Sequence, residues 1–200
     1  MKRTEISELD YITHVENVAS ICERGILSHH RAEKVAHVDV SLAEVQDRRS
    51  NKRVPGGLPL HDYANTYLTA RNPMLYKRLC EGLLDELCVL SISPRILDMD
   101  GAVMSDRNAA ASYCRFAVPA DALPVIDGDL VKQTYWTTGS PLEQERCRNA
   151  KFTEVLIPHE IPPALVFGVQ VGSSSAESAL SADGCPLDIV VNKELFFEWS

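Results

Sequence analysis

The sequence has no apolar run near the ~18–20 residues that cross a bilayer, and the stretch from Met1 to Tyr11 is charged, with no apolar core segment. Neither a membrane span nor a secretory leader is expected, which points to a cytoplasmic protein. Cys-x-x-Cys pairs and Cys/His groups with zinc spacing are missing, although Cys22, Cys80, Cys88, Cys114, Cys147 and Cys185 are present. These six read as reduced, core-filling thiols, and no metal site is expected. Gly-rich phosphate loops are absent as well: neither GxGxxG nor GxxxxGK[ST] occurs. A dinucleotide, if bound, would not lie in a Rossmann crevice. Net positive charge is lacking too, the formal value being −8. The charge is uneven, however. Residues 1–79 carry 12 basic against 10 acidic side chains, and residues 80–200 carry 8 against 18. The first part therefore has the charge for a local basic surface, and the acidic remainder disfavours tight non-specific nucleic-acid binding.

What is present is an ordinary globular composition, 45% hydrophobic over 200 residues, enough for one domain with its own core. A short strand is expected at Leu9–Thr13. A helix is expected over 14–27, from Val15, Val18, Ile21 and Cys22, with Gly25 at its C-cap. Residues 41–53 read as a second helix, with Ser41 as N-cap and Glu44 closing a capping box. Pro55-Gly56-Gly57 then break the chain. Leu60–Leu68 suits a strand or ordered loop, and Asn72-Pro73 opens a turn or helix. Leu87–Ser93 is a compact apolar run that reads as a buried strand. A helix is expected to start at Asp106–Ala111, followed by a strand over 112–118 and a helix over 129–136. Residues 137–151 are polar and read as a loop. Glu154–Pro158, Leu165–Val171 and Leu187–Val191 read as strands, and 172–184 as a mobile loop or poor helix. Strands and helices mix without regular βαβ alternation, so the fold class is α+β.

Four blocks in order carry a resemblance. The first is Tyr11-Ile12-Thr13-His14-Val15-Glu16-Asn17, running on to Arg24-Gly25-Ile26-Leu27-Ser28. The second is Gln46 to Pro55, which contains Arg48-Arg49 and Lys52-Arg53. The third is Leu60-His61-Asp62-Tyr63, then Tyr67, then Arg71-Asn72-Pro73-Met74-Leu75-Tyr76. The fourth is Glu154-Val155-Leu156-Ile157, ending in Ile161-Pro162. Ser105-Asp106-Arg107-Asn108-Ala109 and Tyr135-Trp136 add weaker matches. Together they resemble the DarT family of DNA-modifying toxins over residues 9–170. The resemblance implies an ADP-ribosyltransferase fold, a split mixed β-sheet with flanking helices that holds NAD bent, and a single such domain over 1–200. It also implies transfer of ADP-ribose to a base of single-stranded DNA, thymine in most members and guanine in a related branch. A macrodomain-containing antitoxin is the implied partner.

The chemistry asks for a carboxylate beside the ribose, because breaking the nicotinamide–ribose bond builds positive charge there. The resemblance assigns that role to Glu154 and pairs it with Arg49, which would serve catalysis and NAD binding together. Tyr11, Thr13, His14, Asn17 and Tyr67 are the other expected NAD contacts. Tyr11 stands where the family usually has histidine; a phenol also donates and accepts, but reaches further. Arg48, Lys52, Arg53, Tyr63, Arg71 and Met74 are the expected DNA contacts. The expected acceptor loop over 137–151 adds Arg146, Arg148 and Lys151. The charged residues here also read as parts of a solvated face, Tyr63 and Tyr67 as core, and His14 as a structural hydrogen-bonded histidine. RNA or protein acceptors, or a silent NAD- or nucleic-acid-binding module, stay open from the residues alone.

Overall fold

The computed structural model describes residues 1–198. Its strands are β1 (Leu9–His14), β2 (Ile26–Leu27), β3 (Tyr63–Tyr67), β4 (Leu87–Ile92), β5 (Val103–Ser105), β6 (Phe116–Ala117), β7 (Glu154–Pro158), β8 (Glu160–Ile161), β9 (Val166–Val171) and β10 (Asp188–Val191). Its helices are α1 (Val18–Arg24), α2 (His29–Ala32), α3 (Ala43–Ser50), α4 (Pro73–Cys80), α5 (Pro119–Ala122), α6 (Gly128–Lys132), α7 (Pro141–Lys151) and α8 (Ser174–Ala182). Eight strands form one sheet in the order β10-β9-β4-β1-β3-β7-β5-β6, and β2 pairs with β8 in a small second sheet. The β9–β10 pair is parallel and the other neighbours are antiparallel, so the sheet is mixed.

β4 explains why the sheet is covered on both faces. Successive side chains of a strand point to opposite sides. Cys88, Leu90 and Ile92 enter one core with Leu9, Val18 and Val169. Leu87 and Val89 enter another with Ile12, Leu75 and Phe196. A strand buried on both faces has no polar alternation, which is why its sequence reads as an unbroken apolar run.

The sheet splits in the middle. β1 runs fully paired with β4, from Leu9 opposite Ile92 to His14 opposite Leu87. Its partnership with β3 is limited, among the described residues, to Asp10 opposite Tyr67. Beyond that point β1 and β3 diverge and open a cleft. β3 then pairs with β7 along its whole length, which puts Tyr67 directly opposite Glu154.

Several expectations are met locally. Gly25 ends α1 at φ +84°, and a Cβ there would lie 2.2 Å from the Ile161 carbonyl oxygen. Only glycine suits both the angle and the close approach. Asn72 caps α4: its side-chain oxygen accepts from the N–H groups of Met74 and Leu75 at 3.0 and 3.1 Å.

Others need correction. Residues 137–151 are not a loop throughout, because α7 fills Pro141–Lys151 behind a Ser140/Glu143 capping box. α3 begins after Leu42 and not at a Ser41 cap; Ser41 instead donates its N–H to Asp39. The expected helix at 106–111 is a run of turns, the strand over 112–118 shrinks to Phe116–Ala117, and the helix over 129–136 stops at Lys132. For segment 172–184, read as a mobile loop or a poor helix, the helix is the alternative observed: α8, capped by Ser173. Among the described residues, no helix is long and apolar enough to cross a membrane.

Candidate active site

The cleft between β1 and β3 holds a cavity of about 390 Å³, roofed by α3 and by residues 37–42. That volume lies within the ~300–1,000 Å³ of small-molecule sites. Tyr11 and Thr13 line it from β1, and Tyr63, Asn65 and Tyr67 from β3. Their spacing of two follows from the pleat. Arg48 and Arg49 come from α3, Met74 from α4 and Glu154 from the start of β7.

Glu154 is 1% exposed and held at both oxygens. Oε2 accepts from Arg49 Nη1 at 2.8 Å, and Oε1 accepts from the Ala109 N–H at 2.8 Å. The Glu154 N–H in turn donates to Ser105 Oγ at 3.0 Å. Each carboxylate oxygen can accept twice, so lone pairs remain for a substrate. Arg49 is itself buried, at 5% exposure. Burial works against its charge, but the facing Glu154 carboxylate outweighs this and leaves the guanidinium more basic than usual. The result is a fixed ion pair with little freedom to reorganise, which suits stabilisation of a transient cation.

Around this pair the site is polar and protonated. The Tyr67 phenol is pushed above its ordinary range, first by burial and then by Glu154. The Tyr11 phenol is pushed up to about 12, first by burial and then by Asp39. Both therefore stay protonated at neutral pH and keep an O–H to donate. Thr13 Oγ accepts from Asn17 Nδ2 at 3.1 Å. Asn17 also exchanges two hydrogen bonds with the Val38 backbone, at 2.8 and 2.9 Å, and so ties the 37–42 segment across the cleft.

The structure brings Tyr11, Thr13, Asn17, Arg48, Arg49, Tyr63, Tyr67, Met74 and Glu154 to one cavity. It places other expected contacts elsewhere. His14 points away, and its Nδ1 accepts from the Glu16 N–H at 3.2 Å as a helix cap. Arg71 is buried, stacks on the Phe197 ring at 4.1 Å and donates to the Thr134 and Glu194 carbonyls. Lys151 is 1% exposed and donates to the Val131 carbonyl at 3.1 Å, with its pKa pushed down to about 8, chiefly by burial. Buried groups bonded to backbone oxygens are not placed to meet DNA phosphates. Lys52 donates to the Ala111 carbonyl and lies over the Phe116 ring. It thereby clamps the end of α3 to the segment that supplies the Ala109 N–H. Arg53 bonds the Gly57 carbonyl at 2.7 Å from an exposed position, and Arg146 and Arg148 are exposed on α7.

Some cavity residues escaped the sequence reading. Asn65 lies midway between Tyr63 and Tyr67, and strand alternation alone would have found it. Gln46 precedes Arg49 by three residues, which puts both on one helical face. Asn108 sits next to Ala109, the donor to Glu154.

Comparison with known proteins identifies the family and the fold. A family profile described as "ssDNA thymidine ADP-ribosyltransferase, DarT" matches residues 11–197. A DNA ADP-ribosyl transferase of Thermus sp. (strain 2.9) is 30% identical over 86% of this chain and 86% of its own length. A DNA ADP-ribosyl transferase–DNA ADP-ribosyl glycohydrolase fusion protein of Thermosipho africanus is 29% identical over 86% of this chain, which spans only 44% of the fusion. The solved structure of Thermus sp. 2.9 DarT in complex with ADP-ribosylated ssDNA shares the fold, with a TM-score of 0.82 at 24% identity, covering 96% of this chain and 97% of that one. With the profile spanning nearly the whole chain and the Thermus sp. relative aligned over most of both proteins, the chain belongs to the DarT family of DNA ADP-ribosyltransferases.

Proposed function

We propose that residues 1–200 form one ADP-ribosyltransferase domain that moves ADP-ribose from NAD to a thymine of single-stranded DNA, and that the chain acts as a toxin countered by a macrodomain antitoxin. The observation that carries the reading is the buried Arg49–Glu154 pair at the cleft, with both Glu154 oxygens fixed. The family description supports thymidine in single-stranded DNA. The Thermosipho relative, in which a transferase is fused to a DNA ADP-ribosyl glycohydrolase, supports an enzyme that removes the mark as partner.

The chemistry follows from the geometry. The bond between nicotinamide nitrogen and ribose C1′ breaks, and its electron pair leaves with nicotinamide. Positive charge develops on the ribose, and the preorganised Glu154 carboxylate stabilises it. The acceptor nitrogen attacks C1′ and gives up its proton to Glu154 as general base. In a thymine of DNA, the ring nitrogen that carries a proton is N3. Tyr11, Thr13 and Tyr67 line the NAD side, with Asn17 holding Thr13 and the covering segment. Tyr63, Met74 and Arg48 are the proposed DNA side, extended by Arg53, Arg146 and Arg148 on the surface.

Purified protein is incubated with NAD labelled in its adenylate part and with single-stranded oligonucleotides of varied sequence, beside Glu154→Ala. Label on thymine-containing DNA with the intact chain alone supports the reading. Label on another base moves the acceptor. Label on RNA or protein, and none on DNA, overturns it.

A further inference from the structure

We infer that Gln46 is a further substrate-binding residue of the transfer reaction, presenting an amide N–H to an oxygen acceptor of the substrates, and that His61 is the positioning residue that keeps it so turned. The inference rests on the reaction proposed above.

Gln46 projects from α3 one turn before Arg49, and both line the cavity with Glu154. A carboxamide has one accepting oxygen and one donating NH2 group, so its function depends on which end faces the ligand. Gln46 Oε1 lies 3.1 Å from His61 Nε2. That oxygen faces the imidazole, so His61 donates from Nε2 and the Gln46 NH2 group turns to the cavity. Among the described residues nothing bonds that NH2 group.

His61 is not free to release the oxygen. It is buried, packs against the His29 ring at a tilt of 40° with ring centres 4.2 Å apart, and meets the His30 ring edge-on at 5.4 Å. Asp62 holds His30 in turn, at 2.8 Å from Nδ1. Burial first, and the neighbouring His29, Arg49 and His30 after it, keep His61 less basic than an ordinary histidine. The lowered basicity favours the neutral ring, and the tautomer with its N–H on Nε2 is the one that matches the Gln46 oxygen it faces. The wall formed by Gln46, Arg48 and Arg49 offers donors only. Its match is an oxygen acceptor, supplied either by the diphosphate of NAD or by a carbonyl of the acceptor base.

The test is steady-state kinetics of full-length protein with each substrate varied at saturation of the other. Gln46→Glu keeps the shape and replaces the NH2 group by oxygen; Gln46→Met removes the donor without adding charge. Both should raise one KM, about tenfold for the glutamate variant, with kcat nearly unchanged, as loss of one oriented hydrogen bond predicts. A rise in the KM for NAD assigns the oxygen to the dinucleotide; a rise in the KM for DNA assigns it to the base. His61→Phe keeps an aromatic ring but frees the amide to turn, and should raise the same KM about two- to threefold. It should add nothing in the Gln46→Met background. Unchanged KM values in both Gln46 variants, a fall in kcat alone, or an additive His61→Phe effect overturns the inference. A wild-type chain that turns over no NAD with DNA overturns the proposed function itself, and this inference with it.

Discussion

At the residue scale, the Arg49–Glu154 pair joins a cost in stability to the proposed chemistry. Both side chains are almost fully buried, 2.8 Å apart. Removing one partner of such a pair leaves a buried charge uncompensated, at a cost of about 3–5 kcal/mol, whereas replacing both is far milder. Glu154→Gln and Arg49→Met should each lower stability in urea by several kcal/mol, and the double variant by clearly less than their sum. Additive losses would show that the pair is not coupled. Asp10 makes a second case. It sits where β1 and β3 part, accepts from the Ala70 N–H at 2.5 Å, and its carboxyl is pushed up to about 7, chiefly by burial. A carboxyl with a raised folded-state pKa favours folding while protonated. Its contribution is complete below the unfolded value near 3.8 and fades as pH rises to about 7. Asp10→Asn should therefore gain on wild type between pH 4 and 7, by at most about 1.4 kcal/mol per pH unit, and the difference should be flat above that. A difference independent of pH would rule out the titration. That Glu154 and Arg49 meet at one cavity was expected from motif order, and the structure places them together there. A motif does not say which way a side chain turns: His14 takes the structural place that the residues also allowed and caps a helix, and Arg71 lies over Phe197 and not in the cavity.

At the element scale, legibility follows the kind of signal each segment carries. β4 was readable because burial on both faces leaves an unbroken apolar run. The starts of α4 and the end of α1 were readable because Asn72-Pro73 and Gly25 are local, backbone-level signals. α7 was missed because it shows little of an apolar stripe: only Cys147 and Lys151 are buried along it. Its signature lay in the cap, since Ser140 Oγ accepts from the Glu143 N–H while Glu143 accepts from the Ser140 N–H at 2.7 Å. A polar helix with little tertiary packing leans on its caps. Ser140→Ala should cost about 1 kcal/mol, visible as faster amide exchange across Pro141–Lys151 and not in the sheet. Unchanged exchange there would mean that packing against α6 carries the helix.

At the scale of the whole molecule, the split sheet and the uneven charge act together. The cleft opens where β1 leaves β3, and α3, from the less acidic first part of the chain, supplies Arg48 and Arg49 to its wall. The proposed phosphate contacts reduce to Arg48, Arg53, Arg146 and Arg148, since Arg71, Lys52 and Lys151 are buried or half-buried and bonded to backbone carbonyls, whereas Arg53 bonds the Gly57 carbonyl from an exposed position. Binding to single strands releases roughly 0.7 counterions per neutralised phosphate, so four contacts limit the slope of log affinity against log salt to about −3. The net charge of −8 adds repulsion that salt relieves, which flattens the slope further. Affinity for an oligothymidine measured across a salt series should give that shallow slope, and Arg48→Ala should lower its magnitude by about 0.7. A slope steeper than about −5 would require phosphate contacts beyond these arginines. A slope that Arg48→Ala leaves unchanged would place Arg48 on the dinucleotide and move the strand toward α7. With few phosphate contacts available, the cavity around Glu154 must supply most of the affinity, so discrimination among bases should persist at high salt.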